Sequence, residues 1–525
     1  MTVIKSLFLL VLFVLLSAQN TPIEDPIIQK IWDETYKNSQ LENLAHELLD
    51  EIGPRLVGTP QMDKAGDWAV DKFEEWDLDN AKKEEYGTWM GWDRGITHVD
   101  LLEPRVRSLE AMMHAWSPGT NGKAIEGTPV VAPLFKNEAH FKEWLNTIDG
   151  KIVLISPLQI TGRPDDNWEK FALKEDFEAM KNLRDSLQKE ARKSFQNTGI
   201  KGRWFERQAK FGKALEDAGA RAVIASRWSK GWGVNKVFSS YTKKVPSIDM
   251  SLEDYGLLYR LIQSGKEPKL RIKADAKFLG KVPTFNTIAE IKGTEKPEEY
   301  VILSAHYDSW DASSGATDNG SGSITMMEAI RILKKVLPKP KRTILIGLWG
   351  SEEQGLNGSR AFIEDHPEIV EKVQAVFNQD NGTGRIENIS GSGFIHSYKS
   401  LGKWLTKVPK EITEHIKSYD FPGMPPRGSS DHSSFVAAGA PGYGLSSLSW
   451  GYWNYTWHTN RDTYDKLVFS ELRRNVVMVA TLAYLASQDE EFTDREKRSK
   501  FPINKYTGKV GSWPEPKKAD RKGNM

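Results

Sequence analysis

The sequence predicts an α/β protein built on a mixed, mostly parallel sheet sandwiched by helices, with a separate unit inserted into it. Beyond residue 280, short apolar runs alternate with helical patterns, as in a sheet covered on both faces. Residues from about 119 to 277 read as a unit of their own. At 525 residues, with 39% hydrophobic and 27% charged, the chain is an ordinary globular protein long enough for several domains.

From the N-terminus, Lys5 precedes an apolar run from Leu7 to Leu16 and then Ser17-Ala18. This reads as an export signal over residues 1–18, too short for a typical spanning helix. Cleavage is expected to leave no stable membrane association, with the protein in a periplasm or outside the cell. Helical spacing follows from Ile27 to Phe73, broken by Gly53-Pro54-Arg55 and restarted at Gly58-Thr59-Pro60. Within the inserted unit, Ile152–Ile155, Ala222–Ile224 and Val245–Met250 are short apolar runs, and Asp165–Gln208 is a charged, solvated helical excursion.

Strands are expected at Tyr300–Leu303, Thr343–Trp349 and Val373–Phe377, a helix through Ile324, Met327 and Ile330, and a long apolar helix over Asp465–Ser487. The catalytic unit is therefore split, 19–118 and 278–488, around the insert at 119–277. Residues 489–525 form a basic tail, read as floppy.

Composition excludes several chemistries. The chain has 72 Lys and Arg against 71 Asp and Glu, so nothing in its net charge calls for nucleic acid. There is no cysteine, which removes thiol catalysis, disulfides and cysteine-ligated metal. A metal must be held by His, Asp and Glu.

Those residue types stand at the strand ends. The first strand closes in His306-Tyr307-Asp308, and the next loop, Gly315–Gly322, carries Asp318. The second strand ends at Glu352-Glu353, and the third at Asp380. His458 follows an aromatic run. Read singly, Asp318 caps a helix and His306-x-Asp308 means little. Together, three successive strand ends deliver His306, Glu352/Glu353 and Asp380 to one edge, where parallel sheets bind ligands. Adjacent unpaired carboxylates are costly in a crevice; a divalent metal relieves that cost for one and leaves the other free to move protons.

With this set in place, the sequence resembles the di-zinc exopeptidases that include leucyl aminopeptidases and glutamate carboxypeptidases, nearest to the carboxypeptidase Q-like branch. Gly53-Pro54-Arg55, Gly58-Thr59 and Trp92-Asp93-Arg94-Gly95 also look like that branch, and the insert is similar to a protease-associated domain. The resemblance implies two Zn²⁺ per chain. His306 and Asp380 hold one, Glu353 and His458 the other, and Asp318 bridges them. A shared water becomes hydroxide, Glu352 is the general base, and Asp308 orients His306.

Arg427–His432 resembles the family's loop near the substrate pocket. Asp431 is placed to pair with a substrate ammonium, Arg427 with a carboxylate, and His432 is a further candidate contact. Acidic surroundings favour the ammonium, hence an aminopeptidase or dipeptidase acting on short peptides; a carboxypeptidase of the same family is the alternative. A receptor-like binding protein on the same fold would be expected to have lost ligands. A serine hydrolase on Ser430 or Ser433 would need a Gly-x-Ser-x-Gly elbow, which the sequence lacks. A homodimer is left open.

Overall fold

The computed structural model describes residues 23–503 and 508–523; the apolar run at residues 1–18 lies outside them. Helix Pro26–Lys37 is capped by Asp25, whose carboxylate accepts from the N–H of Ile27 and Ile28. Thr59 caps Pro60–Glu75, accepting from Met62 N at 3.2 Å with proline in the first helical turn.

Among the described residues the main sheet has ten strands. Its principal members are β1 (Asp79–Glu103), β2 (Lys269–Ile291), β3 (Lys296–His306), β4 (Arg342–Trp349), β5 (Val373–Asn378) and β6 (Gly442–Ser447). They lie in the order β6-β5-β3-β4-β2-β1. The centre, β4-β3-β5-β6, is parallel, while β2 runs antiparallel to β4 and β1 antiparallel to β2. The expected strands at 300–303, 343–349 and 373–377 are the cores of β3, β4 and β5.

β4 and β5 are buried throughout and β3 from Val301 onward, and successive residues serve opposite faces. Val301, Leu303, Ile344, Ile346, Ala375 and Phe377 pack under helices α1 (Ser321–Val336) and α2 (Phe469–Gln488). Ile302, Leu345 and Val376 face the other way, against Phe362 and Phe435. Helix α2 begins later than Asp465 because Tyr464–Lys466 forms a separate tight turn.

Strands β1 and β2 form one long ladder that leaves the main sheet and enters a second unit. That unit has a five-stranded sheet of 111–113, 247–250, 222–225, 152–154 and 129–131. Its core includes Val99, Leu101, Leu109 and Met113, so it begins before Gly119. No break marks the junction because a single continuous strand crosses it. The charged stretch forms helices Asp165–Phe171, Lys174–Asn197 and the start of Trp204–Asp217, largely solvated as expected.

The C-terminal segment differs from expectation: its described residues are docked. Thr493 N donates to Gln374 Oε1 at 2.8 Å. Trp513 packs on Phe394 at 4.8 Å between ring centres and donates to the Val436 carbonyl. The Arg521 guanidinium meets Asp365 and Glu364 at 2.7 and 3.0 Å, and its carbonyl accepts from Thr88 N. Arg521, which reads as solvated, thus finds an acidic helix end and a free strand edge. Among the described residues no helix is long and apolar enough to cross a membrane.

Candidate metal centre

Strands β3, β4 and β5 end side by side. Their register pairs His306 with Trp349 and Ser304 with Asn378. Buried side chains lock the three ends together: Trp349 Nε1 donates to Ser304 Oγ at 2.8 Å, and Ser304 Oγ to Asn378 Oδ1 at 2.6 Å. Asn378 Nδ2 then donates to Ser430 Oγ at 3.0 Å. The edge thus presents His306, the Glu352-Glu353 turn and Asp380 from a rigid base.

Asp318 comes from the turn Ala316–Gly320 that feeds α1. The turn packs onto the β5 end, where Asn319 Nδ2 donates to the Gln379 carbonyl at 2.9 Å. A Cβ at Gly322 would lie 2.5 Å from that carbonyl oxygen, so only glycine permits this approach. The Asp318 carboxylate faces two imidazoles instead of capping the helix.

Two donor groups result, His306–Asp318–Asp380 and Asp318–Glu353–His458. His306 Nε2 is 3.0 Å from Asp380 Oδ1 and 3.3 Å from Asp318 Oδ1. His458 Nε2 is 3.1 Å from Asp318 Oδ2 and 2.9 Å from Glu353 Oε2. Asp318 therefore offers one oxygen to each group. Asp318 Oδ2 and Glu353 Oε1 are buried without a hydrogen bond, which is costly unless a cation meets them. Donors about 2.0–2.2 Å from a tetrahedral zinc stand roughly 3.3 Å from one another, and imidazole and carboxylate are donors zinc accepts. The residues fit a zinc pair.

Glu352 sits beside these groups but belongs to neither. Asp308 holds it there, though not in the way expected. Its carboxylate accepts from the backbone N–H of Glu352 and Glu353, at 2.9 and 3.2 Å. His306 Nδ1 is met instead by the Asp308 main-chain carbonyl at 2.9 Å, the carboxylate standing 3.8 Å away. One residue thus fixes the imidazole tautomer with its backbone and the double-glutamate turn with its side chain.

Other supporting residues were not singled out as site residues from sequence. Asp462 accepts from Thr317 N and Asp318 N at 2.8 and 3.0 Å, anchoring the bridging turn. Arg55, fully buried, donates to the carbonyls of Tyr307, Gly53, Ser314 and Gly315. It ties the His306 and Asp318 loops together and brings a positive charge behind the acidic centre. Trp310 Nε1 donates to Glu353 Oε2 at 2.8 Å. Around His458, Trp457 stacks at 3.8 Å and Phe238 meets it edge-on at 5.2 Å. The aromatic run is divided: Tyr452 is buried, while Trp450 and Trp453 are each 57% exposed.

Of the three residues expected against substrate, Asp431 and His432 lie in the interior within electrostatic reach of Glu352 and Asp380, and Arg427 lies on the surface. Arg427 is exposed and donates to the Ser512 carbonyl on the docked C-terminal segment. Asp431 is 0% exposed, because it opens the buried helix His432–Ala438. His432 lies in the same interior, its Nδ1 facing Asn378 Nδ2 at 3.4 Å, and burial lowers its pKa to about 4. Neither Ser430 nor Ser433 uses that imidazole; Ser433 Oγ donates to the Ser430 carbonyl.

Electrostatics follow from crowding acids around two imidazoles. Burial, reinforced by the charges of Asp380, Asp431 and Glu353, raises the Glu352 pKa well above the usual carboxylate range. Burial likewise raises Glu353 and Asp462 to about 7. Burial opposes the histidine charges, but the surrounding carboxylates prevail. His306 is held well above its ordinary value, chiefly by Asp380, and His458 rises to about 9, chiefly through Glu353. Asp318 is lowered by its two imidazoles despite burial.

The raised groups share one sign over a wide range and outnumber the buried His114 and His432, whose lowered pKa opposes them below about pH 6.5. Carboxyls and imidazoles with raised pKa bind more protons folded than unfolded, so stability falls as pH rises through their folded values. The lowered Asp318 acts only in acid. Chelated protein should therefore melt at steadily lower temperature as pH rises from about 4.5 towards about 9, and zinc should flatten the slope by supplying the missing positive charge. A melting temperature that rises over this range without zinc would contradict the assignment.

The chain is similar to known peptidases. The model of peptidase family M28 matches residues 286–483, the stretch that carries His306, Asp318, Glu352, Glu353, Asp380 and His458. Carboxypeptidase Q of Mus musculus is 25% identical over 469 residues, covering 88% of each chain. A peptidase M28 precursor from Shewanella amazonensis SB2B shares the fold at a TM-score of 0.65, with 22% identity, over 90% of this chain and 98% of the other. BSAP, a zinc aminopeptidase from Bacillus subtilis, superposes at a TM-score of 0.56 with 20% identity, over 87% and 97%. The resemblance to the di-zinc exopeptidases and to the carboxypeptidase Q-like branch is borne out, and residues 286–483 match peptidase family M28.

Proposed function

We propose that the protein is an exported, zinc-dependent exopeptidase that hydrolyses the peptide bonds of short peptides, acting as an aminopeptidase or dipeptidase. The observation that supports this best is the pair of donor groups sharing Asp318, with Glu352 beside them and outside both. His306, Asp380 and one Asp318 oxygen would hold one zinc; Glu353, His458 and the other oxygen would hold the second. Bound there, the ions would supply Lewis acidity and a water ionised near neutral pH.

The chain's own residues do the rest. Glu352 takes a proton from the attacking water and returns it to the leaving amine. Its pKa, raised well above the usual carboxylate range by burial, suits the second half of that task, since such a carboxyl holds the proton it must hand on. Asp308 keeps the Glu352 backbone fixed, and Trp310 keeps Glu353 turned towards His458. The inserted unit, read as protease-associated, supplies Phe238 against His458 and narrows the site on that side. A narrow site favours a chain end over an internal segment.

Carboxypeptidase action remains a second reading, favoured by the similarity to carboxypeptidase Q. A panel of dipeptides and longer peptides, free and N-acetylated, separates the two. Cleavage that needs a free amino terminus is expected. Equal cleavage of acetylated peptides with release of the C-terminal residue would make the protein a carboxypeptidase, and internal cuts in long peptides would end the exopeptidase reading.

A further inference from the structure

The inserted unit delivers a cation to the metal centre. Residues 235–237 run antiparallel to 458–460: Asn460 N donates to the Asn235 carbonyl at 3.0 Å, Lys236 bridges Thr459, and Val237 N donates to the His458 carbonyl at 3.0 Å. This segment is anchored from behind. The buried Asn235 side chain donates to Asp249 Oδ2 at 2.9 Å and to the Met250 carbonyl at 2.7 Å. Lys236 is therefore placed by the same backbone that places His458.

Its side chain lies over the Trp457 ring, with Nζ 4.1 Å from the ring centre, and Trp457 in turn stacks on His458. Among the described residues, no carboxylate pairs with Lys236. Half-buried, its ammonium loses solvation, which lowers its pKa to about 8, while the charge of Asp318 acts in the opposite direction. A half-buried cation held on an aromatic face beside an acidic centre, with no acid of its own, is an arrangement suited to an incoming anion.

We propose that Lys236 is a specificity-determining residue that receives the free α-carboxylate of a short peptide substrate. This rests on the exopeptidase reading above. One residue beyond the scissile bond adds only about 3.5 Å of extended chain, so the carboxylate of a dipeptide stays close to the metals, whereas that of a longer peptide is carried past. Arg427, expected from sequence to do this, is held by the C-terminal segment. The inference adds to the demand for a free amino terminus: together the two requirements select dipeptides.

The test compares a dipeptide with its C-terminal amide in the zinc-loaded protein and in Lys236→Met, which keeps the apolar stem on Trp457, and Lys236→Arg, which keeps the charge. The ratio of kcat/KM for acid over amide should exceed one in the parent, fall by about tenfold or more in Lys236→Met, mainly through KM, and recover in Lys236→Arg. Equal loss for both peptides, or loss of zinc, would make Lys236 a support for Trp457 and His458 and overturn the proposal. In parallel, the same two ligands are titrated into zinc-loaded Glu352→Gln protein, with and without Lys236→Met. Preferential binding of the acid that depends on Lys236 is expected, and equal binding of acid and amide would overturn it. If the parent cleaves neither peptide, the exopeptidase reading fails, while this titration still decides whether Lys236 receives a carboxylate.

Discussion

Glu352→Gln is expected to lower turnover by at least about 10²–10⁴-fold while leaving zinc content near that of the parent. The substitution is nearly isosteric and removes only the proton acceptor. Glu352 belongs to neither donor group, and its backbone N–H stays bonded to Asp308 whatever its side chain. Glu353→Gln should behave in the opposite way, because Glu353 Oε2 lies 2.9 Å from His458 Nε2 within the second donor group; it should lose metal first and activity with it. Metal analysis and steady-state kinetics on the two variants decide the matter. If Glu352→Gln loses zinc and Glu353→Gln keeps it, the two roles are reversed.

Purified protein should contain close to two zinc ions per chain. A chelator should abolish activity, and added zinc should restore it. His306→Ala, Asp380→Ala and His458→Ala should each lower metal content, because few protein ligands per ion leave little redundancy. Asp318→Ala should do most damage, since Asp318 alone contributes to both groups, and removing it leaves His306 and His458 facing fewer acids. Full activity in a metal-free preparation would end the metallopeptidase reading.

The ligand-bearing part of the fold was readable because its signals are local. Val301, Ile302 and Leu303 make a continuous apolar run since both faces of the sheet are covered there, and the same holds for β4 and β5. Polar residues immediately after such runs stand at strand ends, so His306, Glu352, Glu353 and Asp380 could be placed along one edge. Strand β1 escaped notice because it is half-exposed and polar, and its partner along most of its length is almost two hundred residues away in β2. The C-terminal segment was misread for a related cause. Its basic residues look solvated in sequence, and only the folded surface brings Glu364 and Asp365 to Arg521.

Substrate contacts were the least readable. Asp431 and His432 follow a glycine-serine loop that looks exposed, yet they open a helix packed in the interior. Lys236 gives no sequence signal at all: it is one lysine in a weakly patterned stretch, and its proximity to His458 arises from an isolated backbone bridge between segments more than two hundred residues apart. The sequence by itself determined the kind of chemistry, since with no cysteine a metal can be held only by histidine and carboxylates, and these stand in order at strand ends. Only the tertiary structure decided which atoms face one another. It set Glu353 within a donor group and Glu352 outside both, turned the Asp308 carboxylate towards backbone amides, and brought a cation from the insert beside that centre. Strand ends follow from local patterning, whereas contacts between loops depend on packing that no local pattern records.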